Sequence, residues 1–226
     1  MPRLFTAIEI PREIGDGLAM LRGGLPGARW IDPENYHLTL RFIGDIDDRL
    51  ARDIAFMLGG VDRAPFALRL EGLNSFGGRK PRAVFAAVGA STALYDLQAE
   101  HERLMQRVGL VPEGRKYSPH VTLARLRDSS ARQVADYLGS RQPFRSPPFE
   151  VTRFVLFSSR ASVGGGPYVV EAAYPLSERA PSLRMRSPSC SSTSHAWSRS
   201  RCTRIDAMIC GCSLRTSSAT DAASIH

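Results

Sequence analysis

Cysteine is missing from most of the sequence, and this absence limits the chemistry open to the protein. All four cysteines, Cys190, Cys202, Cys210 and Cys212, lie in the last forty residues. We therefore expect neither disulfide bonds nor thiol chemistry in the body of the chain. The four cysteines are irregularly spaced and form no Cys-x-x-Cys pair, so we expect no zinc site there, although His195 lies nearby.

Lysine is almost as scarce as cysteine. Lys80 and Lys116 are the only lysines, although lysine and arginine together number 30 and the formal net charge is +8. Arginine makes planar, bidentate contacts with phosphate, so this balance is compatible with a phosphate-containing substrate. An arginine-rich surface can equally reflect the base composition of the gene, and net charge alone does not decide between the two explanations.

Long apolar runs are absent as well. No window of the sequence approaches the roughly 18 apolar residues that a membrane-spanning helix requires. The amino-terminal sequence, MPRLFTAIEIPREIG, lacks the basic start, apolar stretch and small-residue cleavage site of a signal peptide. With 226 residues, 43% of them hydrophobic, the chain is long enough to bury a core. We therefore expect a cytoplasmic protein without a membrane partner.

The most informative feature that is present is a short phrase that occurs twice. Residues 37–40 read HLTL and residues 120–123 read HVTL, each within a run of residues that favour β-strands. Side chains alternate between the two faces of a strand, so each histidine should share a face with the threonine two positions later. On that rule Leu38, Leu40 and Phe42 should line the opposite, apolar face of the first strand. Two such phrases are expected by chance in well under about one sequence in a hundred.

The sequence around the two phrases repeats one order of elements. Apolar periodicity predicts strand, helix, His-x-Thr strand, helix and strand, first over roughly residues 1–80 and again over residues 81–177. The first strand of each half precedes its histidine by 33 and 36 residues, respectively. We interpret this as an internal duplication in which the two histidine strands meet at a pseudo-twofold axis and face one cleft. Exchange of strands between the two lobes is compatible with the pattern.

Residues 178–226 differ from everything before them. They are rich in serine and arginine, hold all the cysteines and show no sustained apolar period. This composition predicts a disordered tail, and a change of reading frame at the end of the gene would produce the same appearance. We therefore take residues 1–177 as the domain that carries the function.

Two histidines that face each other across a cleft suit acid–base catalysis near neutral pH. One neutral imidazole takes a proton from an attacking water and one charged imidazole gives a proton to the leaving oxygen, each role contributing about 10²–10⁴ in rate. Hydroxyl groups two residues along can donate hydrogen bonds to the non-bridging oxygens of a phosphoryl group between the imidazoles. A strained cyclic phosphodiester needs these groups and no metal ion. The pseudo-symmetry leaves open which histidine is the acid.

The chain resembles the 2H phosphoesterase superfamily and, within it, the bacterial RNA 2′,3′-cyclic phosphodiesterases, once called 2′-5′ RNA ligases. The resemblance extends over about residues 1–177 and rests on RLFTAIEIP, RWIDPENYHLTLRFIGD, YSPHVTLARL and the later SSR and GGGPYVV segments. It implies an α+β fold of two pseudo-symmetric lobes, with antiparallel sheets forming a central V-shaped cleft and helices on the outside. It also implies opening of a 2′,3′-cyclic phosphate to a 2′-phosphomonoester without a metal or other cofactor.

The resemblance assigns a role to four residues. It implies that His37 is the proton donor to the 3′ leaving oxygen and that His120 is the proton acceptor that activates water. It further implies that Thr39 and Thr122 bind the phosphate. The tail from residue 178 has no counterpart in the family pattern.

Two arginines are further candidates for phosphate binding. Arg41 lies two residues after Thr39, so strict alternation places it on the histidine face of its strand. Arg125 lies three residues after Thr122, so alternation turns it away, although the family often has an arginine at this position. A bulge or the end of the strand would be needed to bring Arg125 to the phosphate.

Three other side chains have a ring that could meet a substrate. Trp30 and Tyr168 are candidates for stacking on a nucleobase, although large aromatic residues more often belong to a core. His101 lies among charged residues on a predicted long helix, so we expect a solvated side chain without a catalytic role.

Three functions remain open on the sequence. The first is a metal-independent phosphodiesterase acting on RNA ends or nucleotide cyclic phosphates, most simply as a monomer. The second is 2′-5′ RNA ligation, which is the same chemistry run backwards. The third is an RNA-binding module without turnover, which the intact histidine and threonine of both motifs disfavour, because binding alone needs no paired acid and base.

Overall fold

The structure, a computed structural model, describes residues 3–159 and 168–177. All of these residues belong to one unit, Met1–Ser182. The predictions for the tail over residues 178–226 therefore lie outside the described residues.

The described chain is a mixture of strands and helices, which confirms the predicted α+β fold class. The strands are β1 (Arg3–Glu9), β2 (Ala28–Trp30), β3 (His37–Asp45), β4 (Phe66–Leu68), β5 (Leu70–Phe76), β6 (Ala83–Val88), β7 (His120–Leu126), β8 (Phe149–Val151), β9 (Arg153–Ser159) and β10 (Tyr168–Pro175). The helices are α1 (Arg12–Ala19), α2 (Asp48–Leu58), α3 (Thr92–Arg107) and α4 (Ala131–Gly139), and a short 3-10 turn spans Pro33–Asn35.

For three of the four helices in the described residues the sequence offers two candidate caps each, namely Asp45 or Asp47, Ser91 or Thr92, and Ser129 or Ser130, and in each case one of the two begins the helix. Asp47, Ser91 and Ser130 each accept a hydrogen bond from a backbone N–H three residues later, at 2.8, 3.3 and 3.2 Å. Such a bond satisfies one of the amide donors that the first turn of a helix leaves unpaired. Local sequence therefore determines where α2, α3 and α4 begin.

The main sheet is antiparallel and has the histidine strands at its centre. Its strand order is β10-β9-β1-β3-β7-β6-β5, and β2 also pairs with β7. Strands β3 and β7 are joined by a single residue pair, Leu38 with Val121. The sheet thus consists of two well-paired halves that meet along this short contact.

Two strands predicted as continuous are each divided. The sequence predicts one strand over residues 66–73 and one over residues 149–157. In the structure the first is interrupted at Arg69 and the second at Thr152. The prediction is wrong because the pieces join different sheets: β4 pairs with β8 in a two-stranded sheet, whereas β5 pairs with β6 and β9 with β1. Each half of the main sheet contains two strands from the other half of the sequence, β9 and β10 beside β1 and β3, and β2 and β5 beside β6 and β7.

One apolar cluster fills the space between the main sheet and its helices. Leu38 and Val121 from the central strands pack in it with helix residues such as Leu18, Ile54 and Leu97, all almost completely buried. We call this side of the sheet the core face. Among the residues that the structure describes, no helix is long and apolar enough to cross a membrane.

Candidate active site

The two His-x-Thr phrases lie side by side on the face of the sheet opposite the core. His37, Thr39, His120 and Thr122 are all partly exposed, while the residues between them are buried. Because β3 and β7 are antiparallel and paired at Leu38 and Val121, the register sets His37 beside Thr122 and Thr39 beside His120. We call this side of β3 and β7, with its four polar side chains, the histidine face.

Each histidine is oriented by a backbone carbonyl two residues before it. His37 Nδ1 lies 2.8 Å from the carbonyl oxygen of Asn35, and His120 Nδ1 lies 2.7 Å from that of Ser118. A carbonyl oxygen can only accept, so in both rings Nδ1 carries the hydrogen and donates it. Nε2 of each ring is therefore left to accept or donate a proton in the reaction.

Aromatic rings surround His37. Its ring centroid lies 5.0 Å from that of Phe5, 5.9 Å from that of Phe157 and 4.9 Å from that of Tyr168. Phe5 and Phe157 belong to a small apolar cluster on the histidine face, against which Tyr168 packs. Tyr168 thus borders the site, where its base-stacking role stays a prediction.

His120 has fewer aromatic neighbours. Its ring lies 4.8 Å from that of Phe76 and 5.2 Å from that of Phe85, and those two rings stack on each other at 4.1 Å. The rings come from β6, which pairs with β7, and from β5, which pairs with the far side of β6. They restrict the motion of the imidazole on the side away from His37.

The surroundings of both histidines favour the neutral imidazole in the free protein. Burial lowers the pKa of His37 to about 4, and the nearby positive charges of His120 and Arg125 act in the same direction, against the carbonyl of Asn35. Burial and Arg125 also lower the pKa of His120, against the carbonyl of Ser118. An anion bound between the rings would raise both pKa values.

Strand β3 carries a β-bulge directly after its threonine. In the pairing with β1, Ala7 is opposite Thr39 and Thr6 is opposite Arg41, which leaves Leu40 without a partner. A single extra residue reverses the alternation of all side chains that follow it. The faces predicted from strict alternation are therefore wrong for Arg41 and Phe42, and a second extra residue, Ile43, reverses the alternation again before Gly44.

Arg41 shows the consequence most clearly. It was expected on the histidine face as a phosphate ligand, but the bulge turns it to the core face, where its side chain is 8% exposed. Its Nε lies 2.6 Å from Oε2 of Glu102 on α3, and its Nη2 donates to the carbonyl of Val111 at 2.6 Å. Arg41 therefore binds protein groups, and its predicted contact with phosphate is wrong.

These contacts tie the first motif to the chain segment that leads into the second. Glu102 also accepts a hydrogen bond from the backbone N–H of Glu113, at 3.1 Å. The hydroxyl of Tyr117 donates to the carbonyl of Thr39, at 3.1 Å. Hydrogen bonds and ion pairs from β3 and α3 thus hold residues 111–117 in place, three residues before His120.

The bulge also changes the face on which Phe42 lies, in the opposite direction to Arg41. Alternation places it on the apolar back of β3, but beyond the bulge it lies on the histidine face, opposite Phe5 in the register and 55% exposed. Its ring centroid is 5.8 Å from that of Phe5. An exposed aromatic side chain therefore adjoins the first motif. The sequence pattern did not predict this position for Phe42.

Strand β7 also carries a β-bulge directly after its threonine. Phe85 of β6 is opposite Thr122 and Val84 is opposite Ala124, so Leu123 is the extra residue. The bulge brings Arg125 onto the histidine face, where it is exposed. This is the arrangement that the sequence required for Arg125 to reach a phosphate; phosphate binding itself stays a prediction.

Two predictions about other side chains are wrong. Trp30 is opposite Ala124 in the register and packs against Tyr137 at 5.7 Å, so it lies on the core face and not where a nucleobase would stack. His101 is completely buried, with Nδ1 2.9 Å from the hydroxyl of Thr6. It is not solvated because this side of α3 packs against the sheet, and burial lowers its pKa to about 3.

Sequence reasoning missed the supporting groups of the site. The carbonyls of Asn35 and Ser118 were detectable, because both stand two residues before a motif histidine. Apart from Tyr168, the aromatic rings around the histidines were not, because they come from strands distant in sequence. Among the described residues no group of three or more His, Cys, Asp or Glu side chains is placed to hold a metal ion.

Comparison with known proteins identifies the family of this chain. The family model of LigT-like phosphoesterases matches the chain twice, over residues 8–86 and 87–168, with one histidine motif in each match. The chain belongs to this family, part of the 2H superfamily. Its fold therefore has known relatives.

Several curated relatives carry the name RNA 2′,3′-cyclic phosphodiesterase. The protein of Aeropyrum pernix is 36% identical over 106 residues, covering 46% of this chain and 60% of the relative. The protein of Geobacillus stearothermophilus is 31% identical over 180 residues, covering 76% of this chain and 56% of the relative. The Aquifex aeolicus protein is 30% identical over 152 residues, covering 65% of this chain and 81% of the relative. The chain thus spans less than two thirds of the length of the first two relatives.

Solved structures show the same fold. The crystal structure of Escherichia coli LigT complexed with 3′-AMP is 25% identical, with a TM-score of 0.62, and covers 79% of this chain and 100% of that one. A crystal structure of a Thermus thermophilus protein has a TM-score of 0.66 at 23% identity, and the match covers 79% of this chain and 100% of the Thermus chain.

Proposed function

We propose that this protein hydrolyses the 2′,3′-cyclic phosphate at the end of RNA or of a nucleotide to a 2′-phosphomonoester. The observation that carries the proposal is the pairing of Leu38 with Val121, which sets two histidines and two threonines on one face. The name shared by the curated relatives supports the substrate class.

The reaction needs one proton acceptor and one proton donor. Nε2 of neutral His120 takes a proton from water, and the water oxygen forms a bond to phosphorus. The bond from phosphorus to the 3′ oxygen breaks, and Nε2–H of charged His37 gives that oxygen its proton. Each ring keeps its Nδ1–H on a carbonyl in both protonation states, so neither has to turn.

The phosphate is held by neighbouring donors. The hydroxyls of Thr39 and Thr122 donate to its non-bridging oxygens, and Arg125 adds a positive charge on the same face. Because the register sets each threonine beside the histidine of the other strand, a phosphorus atom between the rings is within reach of both hydroxyls. Tyr168 at the edge of His37 is the proposed stacking surface for the base.

Product analysis tests the proposal directly. The full chain is incubated, with a chelator present, with an oligonucleotide that ends in a 2′,3′-cyclic phosphate. We expect only a 2′-phosphate end, because His37 protonates the 3′ oxygen. A 3′-phosphate product would reverse the direction of proton delivery, and turnover that requires an added metal would contradict the two-histidine mechanism. Addition of RNA with a free 5′-hydroxyl shows whether joining competes with hydrolysis.

A further inference from the structure

The two central strands separate at one end of their contact. Among the described residues, β3 and β7 pair only through Leu38 and Val121. Toward one end of this contact, the edge of β7 that faces β3 pairs with β2. Toward the other end, beyond Thr39 and His120, the backbones of β3 and of the segment that leads into β7 pair no further. A side-chain hydroxyl connects them there instead.

Tyr117 supplies this hydroxyl, which donates to the backbone carbonyl of Thr39 at 3.1 Å. The ring of Tyr117 packs against the main apolar cluster and meets the ring of Tyr95 on α3 edge-on, at 5.9 Å between centroids. Burial raises the pKa of Tyr117, so its hydroxyl keeps its hydrogen and remains a donor at neutral pH. The tyrosine therefore fastens the segment before β7 both to α3 and to the backbone of the first motif.

The next residue along the chain orients His120. Ser118 accepts the Nδ1–H of His120 on its backbone carbonyl at 2.7 Å. Residues 110–119 belong to neither a helix nor a strand, and Ser118 is exposed. On its other side the segment is held at Pro119, whose carbonyl accepts from the backbone N–H of Val88 at 3.3 Å. The position of the Ser118 carbonyl thus depends on one backbone bond and on the preceding tyrosine.

The carbonyl that orients His37 has a different support. It belongs to Asn35, whose backbone N–H donates to the carbonyl of Asp32 at 2.8 Å and so closes a 3-10 turn. This support is local and consists of backbone only. The acceptor for His120 lacks such a turn, because the residues before it form no regular structure.

We propose that Tyr117 is a positioning residue for His120: its bond to Thr39 fixes the carbonyl of Ser118 and, through it, the imidazole. His120 then holds its hydrogen at Nδ1 and presents Nε2 to the phosphate. The same bond keeps this ring aligned with the threonine of the other strand, whose hydroxyl is proposed to bind that phosphate. The expected effect on turnover rests on the proposed function, whereas the effect on the ring does not.

The test compares two variants that each lose one hydroxyl. Y117F removes the bond to Thr39 and keeps the ring. Y174F is the matched control, because the hydroxyl of Tyr174 also donates to a backbone carbonyl at 3.1 Å, that of Ala55 on α2. Circular dichroism and urea unfolding establish that both variants are folded and lose similar stability.

Nitrogen-15 NMR of the imidazole rings at about pH 8 measures the position of the hydrogen in the neutral rings. In wild-type protein and in Y174F we expect both histidines to carry it at Nδ1. In Y117F we expect His120 to become a mixture with hydrogen at Nδ1 or at Nε2. His37 should stay unchanged, because its acceptor is held by the 3-10 turn, and it serves as a reference in the same spectrum.

Steady-state rates on adenosine 2′,3′-cyclic phosphate measure the consequence for turnover. Y117F should lower kcat about threefold to tenfold at unchanged KM, since one hydrogen bond between neutral groups contributes modestly and acts on the base alone. Y174F should change neither constant.

Three results would overturn the positioning role. They are an unchanged His120 in Y117F, the same change of His120 in Y174F or of His37 in Y117F, and a normal kcat in Y117F. If wild-type protein does not open the cyclic phosphate, the proposed function fails, and the NMR comparison still decides whether Tyr117 positions the ring.

Discussion

Strands β3 and β7 use one backbone design with different side chains. In both, a carbonyl two residues before the histidine orients the ring, a threonine follows two residues later, and a bulge comes next. The residue that the bulge exposes on the histidine face is Phe42 in β3 and Arg125 in β7. The residue that it turns to the core is Arg41 in β3 and Ala124 in β7. The backbone design that the two strands share thus gives symmetry, and the residues after the bulge remove it.

Two further strands, β10 and β2, increase this difference. In the half of the sheet that contains β3, β10 brings Tyr168 to the edge of His37. In the other half, β2 brings Arg29 opposite Arg125. Aromatic rings thus adjoin the histidine in both halves, and Arg125 adds positive charge on the β7 side.

The strongest test of the comparison is removal of each histidine. H37A and H120A should each lower kcat by about 10²–10⁴, because each removes one proton transfer. The double variant should lose much less than the product of the two effects, since the groups act as a unit. Steady-state rates on adenosine 2′,3′-cyclic phosphate measure this, with circular dichroism to check folding. Near-normal kcat in either single variant would contradict the roles proposed for the pair.

The second test concerns the buried ion pair that only β3 has. R41M leaves the carboxylate of Glu102 without its cation, and Glu102 is only 18% exposed. We expect a loss of about 2 kcal/mol of stability, less than for a fully buried pair. For a chain of this size that corresponds to about 4–8 °C in Tm.

The matched control is R3Q, which breaks the pair between Arg3 and Asp45 on the same sheet, where the side chains are 65% and 54% exposed. It should cost less than about 1 kcal/mol. Replacement of both members of the buried pair, R41M with E102L, should recover part of the loss. Equal stability of R41M and R3Q would show that the buried pair does not hold β3 to α3.

The third test removes the cation that only β7 presents. R125Q should lower kcat/KM about tenfold on the mononucleotide and the oligonucleotide alike, because a charge-assisted contact to the reacting phosphate is lost. R103Q, which removes an exposed arginine from α3 on the other side of the sheet, serves as the control. A loss confined to the oligonucleotide would show that Arg125 does not contact the reacting phosphate.

The fourth test is the pH dependence of kcat/KM, which reports the free enzyme. Burial lowers the pKa of both histidines, that of His37 to about 4. Activity needs one charged and one neutral ring, so the optimum should lie below the ordinary histidine pKa of about 6.5. In R125Q the loss of a nearby positive charge should raise the pKa of both histidines and so shift the optimum to higher pH. An optimum of wild-type protein above pH 7 would contradict the effect of burial.

The smallest expected effect concerns His101 on α3, which contacts Thr6 of β1 on the core face. Its pKa is about 3 in the folded protein, below its unfolded value, so its stabilising effect is complete above about pH 6.5 and declines as pH falls toward 3. Between pH 7 and 5.5 this should cost about 1 kcal/mol of unfolding free energy. In H101Q that part of the decline should disappear in urea unfolding measurements. An unchanged pH dependence would exclude His101 as its source.

Local sequence was sufficient for a large part of the fold and of the candidate site. The two His-x-Thr phrases, the starts of α2, α3 and α4 to within two residues, and the family follow from residues adjacent in the chain. Each depends on interactions within a few residues, such as a cap on a nearby amide. The roles of the four motif residues remain proposals that the rate measurements address.

Tertiary structure decided which side chains join the motifs. Arg41 and Phe42 changed faces and Arg125 gained its place because the bulges depend on pairing with β1 and β6, strands far away in sequence. His101 is buried because α3 packs against strands from both ends of the domain. A pattern along one strand shows its period, but only the neighbouring strands determine where that period is interrupted.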